Sequence, residues 1–462
     1  MSLSKKWLLM ALATLALCFC GLIPCMFSAE AEACWHAGFG QCEILPPEGG
    51  DQPLYIAGYH SGWEIEGVLD HCQARAVWLD AGGEGVLIIG IDCIALDSGT
   101  VGKIRSVLSD IQNCAAIHVY ATHTHAGIDT LGLWGPAAVD GKNDAYMQRL
   151  IQAAETVGRE AAACPQPGKL VYGKVETEGI CRDSRFPEVF DPFLYQLRFI
   201  PEQGKGLRLY FFGAHAESLR GDNRLLSRDF PGFLCDQVTE ATGDAAMFFP
   251  GAIGGLIMTR EFVGNISARA QDNMRITGEK LAAYALSIEP ESERPLDPVL
   301  KWSRKSFTVP LDNGAFLLYK MLGILDNRAL SGQSATGYVV ESEVNILLLE
   351  DVAMALIPGE IFPELVLGGA YGEANPEGVN PRPLREMAGE HGIRDLLIVG
   401  LANDELGYIV PPSDFLVHEN LPYLERVRDG RGEDHYEETN SVGPACAQMV
   451  ADAFEAALGQ SK

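Results

Sequence analysis

Positive charge is scarce in this sequence. Lysine and arginine total 35 against 62 aspartates and glutamates, giving 462 residues a formal net charge of −27. That balance repels phosphate backbones and anionic headgroups and excludes nucleic acid as a partner. Paired thiolates are missing as well. Of the 12 cysteines, Cys18, Cys20 and Cys25 lie in the first 33 residues. The nine beyond are scattered without a Cys-x-x-Cys, which excludes a thiolate zinc site and a disulfide framework. No internal repeat or low-complexity segment is found, which removes the repeat architectures.

What is present is a 47% hydrophobic chain, long enough for one large domain or two ordinary ones. Lys5 and Lys6 precede an apolar run from Trp7 to Phe27, and Ser28-Ala-Glu-Ala-Glu-Ala33 offers Ala-x-Ala cleavage sites. Residues 1–33 therefore read as an export signal, with a mature domain over 34–462 outside the cytoplasm. The run also approaches the length of a spanning helix, so a membrane anchor left uncleaved is the alternative.

Strand patterns at 38–47, 74–79 and 85–92, helical spacing through Val101, Ile104, Val107, Leu108 and Ile111, and a strand ending at Ala121 make a crossover unit of an α/β fold. Strands follow at 169–175, 194–200, 207–212 and 245–249, with helices at 144–163, 229–242 and 273–288. The proline-rich stretch 289–298 reads as a connection between lobes. The run 316–325 reads as a core helix, with an acyl-chain groove as its alternative. Runs at 338–349 and 352–357 form a hairpin, 396–402 is another strand, and a helix over 442–458 closes the chain.

Several of these strands run into polar turns. Ala116-Ile-His-Val-Tyr-Ala121 leads into Thr122-His-Thr-His-Ala-Gly127. The crevice beyond strand ends is where α/β sheets bind ligands, and imidazole is a common zinc ligand. In an extended chain His123 and His125 share a face. The spacing serves a metal pair and a plain polar strand end equally. His215 follows the strand 207–212, Glu360 follows the hairpin, and Tyr408 follows the strand 396–402. Two nitrogens and two oxygens form a plausible zinc set, although spacing alone does not join them. Asp92 reads as an acceptor for a ligand histidine or as a structural aspartate.

These segments resemble the catalytic domain of the neutral ceramidases, zinc amidases that cleave the acyl amide of ceramide. Ala37-Gly-Phe-Gly-Gln-Cys-Glu-Ile-Leu-Pro-Pro47 is similar to the family's opening strand and Gly58-Tyr59 to its Gly-Tyr turn. Thr122-His-Thr-His-Ala-Gly127 resembles its Thr-His-Thr-His-Ser-Gly hallmark. Gly213-Ala-His-Ala-Glu-Ser218, Ile357-Pro-Gly-Glu360 and Gly400-Leu-Ala-Asn403 through Tyr408 resemble its further histidine, glutamate and tyrosine motifs. The likeness spans about residues 37 to 425.

The resemblance implies an α/β fold of mixed sheets with flanking helices, without the family's carboxyl-terminal sandwich domain. It implies one Zn²⁺ held by His123, His215, Glu360 and Tyr408, with His125 as hydrogen-bonding residue and proton shuttle. Arg182 takes the place of a substrate-facing arginine. The implied function is hydrolysis of an N-acyl lipid amide by metal-activated water. Where the family has a serine this sequence has Ile257, with no serine adjacent. That departure motivates two alternatives: a lipid- or metal-binding member without catalysis, and an esterase or lactonase on the same metal.

Overall fold

The run Gly85–Ile91 carries no charge, and each of its residues is buried, as a strand covered on both faces requires. A computed structural model describes residues 34–49, 52–186, 188–255, 257–264, 267–369, 379–430 and 432–460. The expected export segment 1–33 lies outside them.

The main elements in chain order are β1 (Trp35–Glu43), β2 (Gln73–Asp80), β3 (Gly85–Ile91), α1 (Ser98–Val107), β4 (Cys114–Ala121), α2 (Asp144–Ala163), β5 (Gln166–Glu176), β6 (Phe193–Pro201), β7 (Leu207–Phe212), α3 (Asp229–Thr242), β8 (Ala245–Pro250) and α4 (Ser267–Leu286). After them come β9 (Leu300–Pro310), α5 (Gly314–Met321), β10 (Tyr338–Leu349), β11 (Val352–Leu356), β12 (Asp395–Val399) and α6 (Cys446–Gln460).

A nine-stranded mixed sheet runs β8-β7-β6-β5-β1-β2-β3-β4, with the short strand Arg294–Leu296 added to β5. A five-stranded sheet runs β9-β10-β11-β12, with Arg328–Ser331 added to β10. Strand periodicity sorts each sheet into two faces. Val77, Leu79, Val86 and Ile88 of the first sheet share a core with Leu347, Leu349, Met354 and Leu397 of the second. The opposite face of the first sheet, through Leu87, Ile89 and Ile91, packs on α1 and α2, and through Tyr210, Phe212 and Phe248 on α3 and α4. The outer face of the second packs on α6 through Val344, Ile346 and Ala355. The result is four layers, helix, sheet, sheet, helix.

The stretch 289–298 carries the strand Arg294–Leu296 and leads from the first sheet into β9. The core-helix reading of 316–325 does not hold. None of α5's residues is fully buried, Leu318, Met321 and Leu322 are exposed, and the helix covers a cavity where a core helix would fill a layer. The cysteines beyond residue 33 are all free. Among the described residues no helix is long and apolar enough to cross a membrane.

Candidate metal centre

The site forms where β4, β7, β11 and β12 end, and main-chain hydrogen bonds tie those ends together. Asn403 N donates to Val119 O (2.7 Å), His125 N to Ala216 O (3.0 Å) and Ala402 N to Ile357 O (3.0 Å). His123 sits at a φ of 65°, in the left-handed region that non-glycine residues seldom occupy. Its neighbours hold it there. Thr122 Oγ1 donates to Asp92 Oδ1 (3.0 Å) and Thr124 Oγ1 to Ser227 O (2.8 Å).

His123 and His215 reach the same point as Glu360. Glu360 Oε2 lies 2.9 Å from His215 Nε2 and 3.3 Å from His123 Nε2. The far nitrogen of each ring is already committed, His123 Nδ1 to Ile94 O (2.7 Å) and His215 Nδ1 to Ile257 O (3.1 Å). A carbonyl only accepts, so each ring donates from Nδ1, and when neutral it presents a bare lone pair at Nε2. Two such lone pairs and a carboxylate oxygen at these distances repel one another unless a proton or a cation lies between them. The donor set N, N, O is one that zinc accepts.

His125 completes a histidine group whose ligand atoms all lie within 4.8 Å of one another. Its Nε2 is 3.1 Å from His123 Nε2. Gly58 makes room for the ring: at φ 110°, a Cβ there would stand 2.7 Å from His125 Nδ1. Tyr408 pairs with Glu360 across a two-residue parallel ladder, so both side chains leave on one face. The Tyr408 ring is 6.5 Å from that of His215.

Charge follows from this crowding. Burial opposes ionisation of Glu360, but His123 and His215 outweigh it and hold the carboxyl well below its usual range. Burial likewise disfavours the His215 cation, yet Glu360 raises that ring above its ordinary value. Burial, with His123 and His215 nearby, pushes His125 well down and keeps it neutral. Burial and then Glu360 push the Tyr408 hydroxyl up.

A cavity opens from this centre. His123, His125, Glu360 and Tyr408 lie at its wall together with Tyr436, Glu405 and Asn440, and Leu131, Trp134, Leu311, Phe316 and Val340 make the rest largely apolar. Asp129 shapes one side by accepting from the amides of Leu131 (3.0 Å), Gly132 (2.7 Å) and Trp134 (2.8 Å).

The structure thus gathers His123, His125, His215, Glu360 and Tyr408. Arg182 lies apart from that wall: it is exposed, with Nη2 3.9 Å from Met258 Sδ. Asp92 holds neither the His123 nor the His215 imidazole, because the carbonyls of Ile94 and Ile257 occupy both Nδ1 positions. Its carboxylate braces the turn instead, accepting from Gln73 N (3.0 Å) and Thr122. Ile257 is fully buried and contributes its carbonyl to His215. Those two carbonyls escaped sequence reasoning because any residue type can supply one. Tyr436, whose ring is 6.3 Å from that of Tyr408, escaped it because it sits in an acidic loop without periodicity.

No protein-family model matches the chain, and no curated protein matches it by sequence. Among solved structures, the neutral ceramidase from Pseudomonas aeruginosa matches with a TM-score of 0.71 at 16% identity, over 92% of this chain and 74% of its own. A ceramidase complexed with C2 matches with a TM-score of 0.69 at 15% identity, over 92% of this chain and 75% of its own. The fold is that of the neutral ceramidases.

Proposed function

We propose that this chain, folded as the neutral ceramidases are, is a zinc-dependent hydrolase that cleaves the N-acyl amide of a lipid. The observation that carries the reading is the convergence of His123 Nε2, His215 Nε2 and Glu360 Oε2 at the end of an apolar cavity. Tyr408 would complete the ligand set. A zinc ion so held would lower the pKa of a water towards about 7 and polarise an acyl carbonyl.

The remaining work falls to side chains. Leu131, Trp134, Phe316 and Val340 take up the acyl chain, which directs the amide towards the histidines. The phenol hydroxyl of Tyr436 donates to the carbonyl oxygen as negative charge develops on it. His125, neutral and beside His123, accepts the proton released in the attack and returns it to the departing amine. No serine is needed, consistent with Ile257.

Ile257 also favours a second reading, a lipid- or metal-binding protein without turnover. One experiment separates the two. Purified protein is assayed for bound metal, then for hydrolysis of dodecanoyl amides, esters and lactones with and without chelator. About one zinc per chain and chelator-sensitive amide cleavage are expected, falling at least about 100-fold in His123→Ala and His215→Ala. Folded protein without a bound ion, or unchanged activity in both variants, overturns the proposal. Preferential ester or lactone turnover reassigns the substrate, and tight lipid binding without turnover supports the second reading.

A further inference from the structure

Three residues beyond Arg182 lies an arginine in a very different setting. The Arg185 side chain is only 3% exposed and faces three carboxylates. Its Nη1 donates to Asp414 Oδ2 (2.7 Å), and its Nη2 donates to Glu437 Oε2 and Glu438 Oε2 (2.8 Å each). Asp183 fixes the local turn by accepting from Arg185 N (2.9 Å) and Val189 N (2.8 Å). Glu438 in turn accepts from His435 Nδ1 (2.7 Å) and Leu416 N (3.2 Å). The guanidinium also lies 5.5 Å from the centre of the Phe362 ring, which stands edge-on to Tyr408 at 6.5 Å.

All three acids belong to the segment 411–440, which is also tied at Ser413 to Asn380 and at Thr439 to Asn313. Among its described residues, regular structure amounts to the short turns Pro412–Asp414 and Glu437–Asn440 and an isolated bridge from Arg428 to Asp434. Leu416, Leu421 and Leu424 are exposed, and its packing on the core comes through Phe415 and Tyr436. The segment supplies Tyr436 and Asn440 to the cavity wall. Tyr436 lies between His435 and Glu437, so carboxylates gripped by Arg185 follow it directly. Burying several charges is costly unless their geometry is well satisfied, and removing the central cation would leave buried carboxylates facing one another.

We infer that Arg185 is a positioning residue: by clamping Asp414, Glu437 and Glu438 it holds the segment 411–440 down and sets Tyr436 in the wall of the cavity. Arg185 acts on the substrate only through Tyr436. The inference rests on the hydrolase reading for its kinetic consequence alone.

The test uses the full chain with Arg185→Met and Arg185→Lys. Trypsin under native conditions reports the clamp, because Arg426 and Arg428 are exposed within the segment. Arg185→Met is expected to be cut there at least tenfold faster, to bind dodecanoate about tenfold more weakly by calorimetry, and to raise KM for a dodecanoyl amide similarly. Metal content should equal that of the parent. Arg185→Lys, keeping a cation but losing the fork, should fall between them. A merely structural arginine would lower the melting temperature and leave tryptic resistance, dodecanoate affinity and KM as they were below the melt, and that result overturns the inference. If Arg185→Met does not fold, Asp414→Asn and Glu437→Gln take its place, with smaller shifts expected in the same readouts. No shift in either variant is equally fatal. Should the parent cleave no amide, the hydrolase reading fails, while proteolysis and dodecanoate binding still decide the clamp.

Discussion

His215 Nε2 lies 2.9 Å from Glu360 Oε2 while its Nδ1 donates to the carbonyl of Ile257. The ring is thus held from behind by a group that only accepts, and its front faces an anion and a second imidazole. Replacing Glu360 with glutamine removes the anion but not the shape. Glu360→Gln should therefore stay folded in the metal-free state and lose metal affinity by at least about 100-fold. Titration of the apoprotein with zinc, followed by calorimetry, checks this. Affinity equal to the parent would mean that the carboxylate is not a ligand.

A metal bound only by the folded state stabilises it by mass action, by about 4 kcal/mol at 1,000 times the dissociation constant. Chelation should accordingly lower the melting temperature of the parent. It should leave His215→Ala, which cannot close the set, nearly unmoved. Differential scanning calorimetry in zinc and in chelator gives both values, and an equal response in the two proteins would contradict the assigned ligands.

Gly58 is the position where space, and not charge, is limiting. An added methyl group would meet His125 at 2.7 to 2.8 Å with the backbone at a φ of 110°. Gly58→Ala should displace the His125 ring while His123, His215 and Glu360 keep their places. Displacement of a catalytic group by about 1 Å can cost about 100-fold in rate. The expected outcome is a loss of that order in kcat with metal content unchanged. Loss of metal together with activity would instead make His125 a ligand.

The sequence carried the parts of the site that depend on side-chain type and on strand ends. His123, His215, Glu360 and Tyr408 each follow a strand visible in its apolar pattern, and the resemblance joined them where spacing did not. The two carbonyls behind the histidines carried no such signal, since Ile94 and Ile257 look like core residues and are buried as such. The run 316–325 was misread for a related reason. Its residues are apolar enough for a core, but Leu318 and Met321 point outward while Phe316 faces a cavity. Arg182 and Arg185 differ in burial and in partners, which a three-residue spacing does not reveal.

His118 should govern part of the acid response. It is 1% exposed, its Nδ1 accepts from Asn403 Nδ2 (3.3 Å), and burial, with Arg105 and Arg304 nearby, lowers its pKa to about 3. The unfolded chain binds this proton below about pH 6.5 and the folded one does not, so stability is present above that pH and falls as pH drops towards 3. Between pH 6 and 4 the parent should lose about 1.4 kcal/mol per pH unit through this group. His118→Gln should remove that share of the slope in urea melts across the range. An unchanged slope would mean that His118 titrates normally.

Phe316 offers a test of what fills the cavity, because it lies at the wall on a helix that is otherwise half exposed. Burying a methylene yields about 0.8 kcal/mol, close to a fourfold gain in binding. In the parent, kcat/KM should therefore climb about fourfold for each carbon added to the acyl chain until the apolar space is full, and then level off. Phe316→Trp takes up part of that space, so the plateau should arrive at a shorter chain while short acyl amides are cleaved at the parental rate. Phe316→Ala should shift the plateau the other way and weaken binding at every length, since the chain then leaves a void beside it. Kinetics across an acyl series from six to eighteen carbons measures all three curves. If the plateau does not move in either variant, the acyl chain does not lie along α5, and the apolar lining at Phe316 serves the helix and not the substrate.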